Sequence, residues 1–188
     1  IRRVFHNFDI SKVSKYDENR INEILATPNI IRHSLKIKGV VENAKKITKI
    51  QKEYGSFGNY IESFKDTLLL AKALREFSYL GRETVWDYLK EIGFDTIKPD
   101  VHIRRILYRL GLITGWKTDD KTIKEVFEVS KQMSNLTGEK LSVIDAVIWF
   151  YGADRPQEIK KPICALEPDC DNCYLTNLCE YFKNNRAI

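Results

Sequence analysis

The chain has 188 residues, 43% hydrophobic and 30% charged, with a formal charge of +5. That length allows one large domain or two small ones sharing a core, and the composition excludes fibrous and disordered classes. No apolar run approaches the roughly 18 residues of a membrane span, so no membrane partner is expected. The basic balance is compatible with a polyanionic partner without requiring one. The opening Ile1-Arg2-Arg3-Val4-Phe5 has neither an initiator methionine nor a signal-peptide core, so further residues are expected before Ile1.

Hydrophobic spacing is helical nearly throughout. Asp17 is placed to cap a short helix running to Ile24. Ile37, Val40, Val41, Ala44, Ile47 and Ile50 then mark one face of a long helix that Gly55 ends. Its lysines, Lys36 through Lys52, read as a solvated face. After the joint Gly55-Ser56-Phe57-Gly58, a helical stretch is expected around Leu68–Phe77 and a second short helix from Arg82 to about Ile92. Pro99 suits the first turn of the next helix. That helix turns Ile103, Ile106, Leu107 and Leu110 inward, with Arg104, Arg105 and Arg109 on other faces. Asp119 or Asp120 opens a helix to about Met133. Ser142 opens another to Tyr151, with Val143, Ala146, Val147 and Phe150 on its buried side. Trp86, Trp116 and Trp149 read as core or cleft walls, with Trp86 or Tyr88 candidates to face an extruded base. Residues after Pro156 read as a linker. No alternating pattern supports a sheet, and the expected fold is all-α.

The four cysteines, Cys164, Cys170, Cys173 and Cys179, all lie in the tail with spacing C-x5-C-x2-C-x5-C. A secreted disulfide scaffold spreads its cysteines along the chain, whereas this grouping reads as one metal site in a reducing, cytoplasmic compartment. Thiolates ligate both zinc and iron–sulfur clusters, so residue type alone leaves a cluster, a zinc knuckle and free thiols open. One close pair flanked by single cysteines fits a loop around a cubane better than a two-pair zinc site. The run from Cys164 to Cys179 resembles the iron–sulfur loop that closes endonuclease III and its relatives, as Ile148-Trp149-Phe150-Tyr151-Gly152 resembles the helix end before it. The first gap here is five residues where that family has six. The resemblance implies a [4Fe–4S] cluster that orders a surface loop beside DNA and takes no part in the chemistry.

Two short helices about Tyr79-Leu80-Gly81-Arg82 suit a turn that brings backbone N–H groups to a phosphate. The segment from Phe77 to Val85 resembles the hairpin of helix-hairpin-helix DNA glycosylases, with Tyr79 at the place of the first glycine. Pro99-Asp100-Val101-His102 through Gly111 resembles the element that follows it. The resemblance places Asp100 at the catalytic aspartate. A carboxylate at a helix N-terminus is favoured by the helix dipole and stabilises the positive charge that grows on deoxyribose as a glycosidic bond breaks. Where lyase-active members carry a nucleophilic lysine this chain has Glu83, which cannot form a Schiff base. A displaced amine, Lys90 or Lys98, is the alternative nucleophile.

Phe5-His6-Asn7-Phe8-Asp9, Ile30-Ile31-Arg32-His33-Ser34-Leu35-Lys36-Ile37, Asn43-Ala44-Lys45 and Tyr54-Gly55-Ser56-Phe57 resemble 3-methyladenine DNA glycosylase I. By that resemblance roughly forty residues are expected before Ile1. Together the resemblances imply two helical parts with a cleft between them. Residues 1–96 would form an N-terminally shortened helical barrel with the hairpin at about 66–92, and residues 97–188 a part bearing the iron–sulfur loop 164–179. The implied enzyme is a monomeric, monofunctional DNA glycosylase of base-excision repair. It would bind damaged or mispaired duplex DNA through Tyr79, Leu80, Gly81, Arg82, Arg104 and Arg105, and flip out a base, an alkylated purine among the candidates. Alternatives are a non-catalytic lesion- or structure-binding protein, a cluster-based redox sensor on DNA, and a bifunctional glycosylase and lyase.

Overall fold

A computed structural model describes residues 1–153 and 162–184. The linker expected after Pro156 lies outside the described residues. Ten α-helices and no strand are found among them, so the all-α expectation holds. No helix among them is long and apolar enough to cross a membrane. The chain separates into two compact units, Ile1–Gly81 and Arg82–Ile188. The division falls inside the expected hairpin, and each unit is taken in turn.

The first unit contains α1 (Ile10–Val13), α2 (Glu18–Ala26), α3 (Ser34–Tyr54), α4 (Phe57–Glu62) and α5 (Thr67–Leu74). Asp17 caps α2 by accepting the Arg20 N–H, and Asp66 caps α5 through Leu69. Ile37, Val41 and Ala44 of α3 pack with Ile21, Ile24 and Tyr16 in this unit's core. Gly55, at φ +80°, ends α3 in a conformation that favours glycine. Gly39 serves a different need: a Cβ there would lie 2.8 Å from the Tyr79 ring. The turn after α5 is clamped to α3 by Asn43, whose side chain accepts the Ser78 N–H at 2.8 Å and donates to the Ser78 carbonyl at 3.1 Å.

The second unit contains α6 (Thr84–Glu91), α7 (Val101–Arg109), α8 (Asp120–Thr137), α9 (Leu141–Gly152) and α10 (Glu180–Asn184). Its core joins Ile103 and Leu107 of α7 to Val126 of α8 and Ile144 of α9, with Ile97 and Ile113. The arginines of α7 depart from expectation. Arg104, Arg105 and Arg109 are 4%, 5% and 2% exposed, as buried as the isoleucines beside them. In α9 the buried side is Ile144 and Asp145, while Val143, Val147 and Phe150 stay 42%, 63% and 52% exposed. Nearly every residue of α9 is apolar, so periodicity could not choose the face. Trp86 is buried against Phe127, ring centroids 4.4 Å apart, and does not face a base.

The start of α9 is held from outside the helix. Lys140 offers no side-chain cap, but Asp95 accepts the N–H of Leu141 (3.2 Å) and Ser142 (3.0 Å). Partial burial pushes the Asp95 carboxyl up, but the bonds from Ser142 and Leu141 outweigh it and hold it below the ordinary value. A depressed carboxyl contributes stability above its unfolded value and loses it as pH falls through the folded one. Asp95→Ala is expected to cost about 1 kcal/mol at neutral pH. In urea melts, the gap from the parent should hold above roughly pH 4 and close below it.

Candidate active site

The segment Lys98-Pro99-Asp100 is folded tightly before α7. The Asp100 N–H donates to the Lys98 carbonyl at 2.8 Å, and the Lys98 N–H donates to the Asp145 carboxylate at 2.8 Å. Pro99 therefore precedes the helix, and Asp100 is its N-cap. Asp100 Oδ1 accepts the N–H groups of His102 (2.9 Å) and Ile103 (3.1 Å). Both bonds fall on one oxygen. Among the described residues nothing hydrogen-bonds Oδ2, although the residue is only 7% exposed.

A cavity of about 310 Å³ opens at this carboxylate. Asp87, Lys90, Lys98 and Asp145 line it together with Asp100, and Trp149 and Phe150 supply aromatic surface. The two candidate amines are both there, and both are paired: Lys98 with Asp87 at 2.7 Å and Lys90 with Asp145 at 2.5 Å. Burial draws the Lys98 ammonium down, but Asp87, Asp100 and Glu83 together hold it above the ordinary lysine value. Asp87 and Asp145 were not singled out in the sequence. The available signal was Asp145 itself, the only charge in the apolar run of α9.

Glu83 does not line this cavity. Its carboxylate accepts from Arg104 at 2.7 Å and from the Thr118 hydroxyl at 3.0 Å. Arg104 also donates to the carbonyls of Trp116 (2.9 Å) and Pro99. Arg105 donates to the Gly152 carbonyl at 2.7 Å and the Cys164 carbonyl at 3.3 Å. The expectation that Arg104 and Arg105 contact DNA is corrected by this placement. A guanidinium buried against internal carbonyls cannot reach a phosphate without leaving those acceptors unpaired. Arg82 differs: it is half-exposed and pairs at the surface with Asp120 at 3.2 Å. Within the first unit, Tyr79 takes φ +70° and stands 54% exposed. The position where the hairpin pattern has glycine thus keeps a backbone that glycine favours.

Cys164 and Cys179 meet the end of α7. Arg109 donates to the carbonyls of Ala165 (2.5 Å) and Leu166 (2.8 Å) and approaches Cys164 Sγ at 3.4 Å, its guanidinium lying over the Tyr181 ring. The Cys179 thiol donates to the Arg109 carbonyl at 3.4 Å. Cys173 Sγ accepts the Leu175 N–H at 3.4 Å and meets the Tyr151 hydroxyl at 3.5 Å. Burial pushes the Cys164 thiol up, against the pull of Arg109. Burial also raises Cys170, helped by Cys164, Cys173 and Cys179. Burial and Cys173 push the Tyr151 hydroxyl up to about 12. No three His, Cys, Asp or Glu side chains among the described residues are grouped so as to hold a metal ion.

The family model for methyladenine glycosylases matches residues 1–101. The chain belongs to that family. It is therefore a DNA N-glycosylase, a hydrolase of N-glycosyl bonds. The family match reaches Glu83 and Asp100 and stops before α8, α9 and the cysteines. A Methanocaldococcus jannaschii protein whose name assigns it to the DNA repair glycosylases is 28% identical, over 89% of this chain and 69% of its own. The DNA-3-methyladenine glycosylase of Haemophilus influenzae is 25% identical over 49% of this chain and 62% of its own length, so the chain spans less than two thirds of that relative. No solved structure matches the chain.

Glu83→Ala would strand a nearly buried guanidinium. The variant is expected to lose about 3 kcal/mol of stability, measured by urea unfolding of parent and variant at neutral pH. Glu83→Gln, which keeps an acceptor for Arg104, should recover part of the loss.

Proposed function

We propose that the chain hydrolyses the N-glycosidic bond of a damaged base flipped out of duplex DNA, that Asp100 is the catalytic carboxylate, and that the product is an intact abasic strand. One observation carries the reading: Asp100 is anchored through Oδ1, none of the described residues hydrogen-bonds its Oδ2, and the side chain lines a cavity of about 310 Å³. A carboxylate fixed in this way needs no reorganisation when positive charge develops on the sugar, and it can orient the attacking water. Trp149 and Phe150 offer faces against which a base can stack. An N-alkylated purine is the substrate class favoured by the family's name and by that of the Haemophilus relative.

Water as nucleophile is supported by the amines. Glu83 offers none, and Lys98, the amine nearest Asp100 in the chain, is held as an ammonium without a lone pair. A lyase through Lys98 is the second reading, favoured by its place in the same cavity. Phosphate contacts fall to the backbone of Tyr79, Leu80 and Gly81 and to Arg82, with the protein acting as a monomer. Asp100→Asn should cut excision by about two orders of magnitude or more on end-labelled duplex carrying an alkylated purine, while duplex affinity holds or rises. With the parent, strand breaks should appear only after hot alkali, and borohydride should trap no protein–DNA adduct. Normal turnover by Asp100→Asn, or an efficient adduct, would overturn the corresponding part.

We further propose that Cys164, Cys170, Cys173 and Cys179 hold a [4Fe–4S] cluster in the cytoplasm. The spacing of the four thiols in the sequence supports it, and a backbone amide and the Arg109 guanidinium lie close to two of the sulfurs, although no three of the described side chains are grouped to hold a metal ion here. The cluster would supply order to the loop and no step of the reaction. Protein purified without oxygen should be brown with roughly four irons per chain, and Cys170→Ser should lose both colour and iron. Stoichiometric zinc without iron would overturn this.

A further inference from the structure

The charges of the Asp100 cavity are arranged in a way that catalysis alone does not require. Three carboxylates and two ammoniums line it, and the ammoniums are each matched: Lys98 by Asp87 at 2.7 Å, Lys90 by Asp145 at 2.5 Å. Asp145 is 6% exposed and also accepts the Lys98 N–H, so one buried carboxylate fixes the backbone of residue 98 and neutralises a neighbouring lysine. Among the described lining residues, Asp100 is left as the one charge without an ion-pair partner. The cavity's net charge is thereby that of a single carboxylate, with the aromatic surfaces of Trp149 and Phe150 alongside. Aromatic faces attract cations as well.

We infer that Asp87 and Asp145 are specificity determinants: by cancelling Lys98 and Lys90 they make the cavity select a base that is cationic when bound over one that is neutral. This rests on the reading of Asp100 as the catalytic carboxylate. The chemistry separates the two classes. When a cationic N-alkylated base departs, the C1′–N bonding pair returns to its ring and it leaves neutral. The sugar takes the positive charge, and water adds at C1′ and releases a proton. A neutral base leaves with a negative charge and gains from a nearby ammonium. An unpaired Lys98 would therefore repel the first class and assist the second.

The test is single-turnover excision from two duplexes, one carrying 7-methylguanine and the other hypoxanthine, read as the ratio of the two rates. Asp87→Asn should lower the ratio about tenfold, because a freed charge a few ångströms from the base acts in a partly desolvated site. Lys98→Gln should raise the ratio. The Asp87→Asn/Lys98→Gln double variant restores the charge balance and should return it to near the parent's. A merely structural pair would give a double variant no better than the worse single one. Circular dichroism melts accompany each variant, and if Asp87→Asn fails to fold, Lys98→Gln and the double variant carry the comparison. Unchanged ratios, or a double variant that does not revert, overturn the inference while Asp100→Asn is inactive on both duplexes. Should Asp100→Asn instead turn over normally, the catalytic assignment itself has failed.

Discussion

Three guanidinium groups buried along one short helix are the constraint on which the second unit depends. A charge taken out of water is costly unless its hydrogen bonds are supplied internally. Arg104, Arg105 and Arg109 of α7 find those partners in turn: Glu83 with the carbonyls of Pro99 and Trp116, then the carbonyls of Gly152 and Cys164, then those of Ala165 and Leu166. Segments distant in sequence are thereby drawn onto one helix. The cysteine loop, the end of α9 and the start of α6 all take their positions from the donors that α7 presents.

The proposed catalytic carboxylate stands at the other end of the same helix. Asp100 caps α7 through one oxygen and lines the cavity, so the side chain that stabilises the helix is also the one proposed to act on substrate. Its orientation is set by the helix, and the helix is set by the buried arginines. The turn before it is pinned through Asp145, which ties α9 to the Lys98 backbone. A single hydrogen-bond chain runs here from Lys90 through Asp145 and Lys98 to Asp100. A site built this way owes its geometry to neighbours as much as to the carboxylate.

The first unit shows a smaller version of the same logic. Tyr79 holds a backbone conformation with φ +70°, and Asn43 and Gly39 of α3 account for its being kept. Asn43 satisfies both backbone polar groups of Ser78, and Gly39 leaves room for the Tyr79 ring. An amide side chain and a missing Cβ on one helix thus stabilise a turn that a tyrosine would not choose unaided.

Much of this was legible in the sequence. Caps at Asp17 and at Asp119 or Asp120, the stripe from Ile37 to Ala44, the stop at Gly55 and the place of Asp100 at a helix N-terminus follow from local rules, because helix termini and apolar spacing are properties of a few neighbouring residues. The resemblance of roughly residues 5–64 to a glycosylase was likewise carried by sequence alone. The burial of the α7 arginines was not legible, since charged residues belong to the surface until something supplies their partners, and those partners lie up to 59 residues away. Nor was the face of α9: an almost wholly apolar helix has no preferred side by itself, and Asp145 turned inward only because the Lys98 amide and the Lys90 ammonium were waiting for it. Sequence determined which residues could end helices and bear charge; tertiary structure decided which charges were paired, because pairing is a matter of distance across the fold.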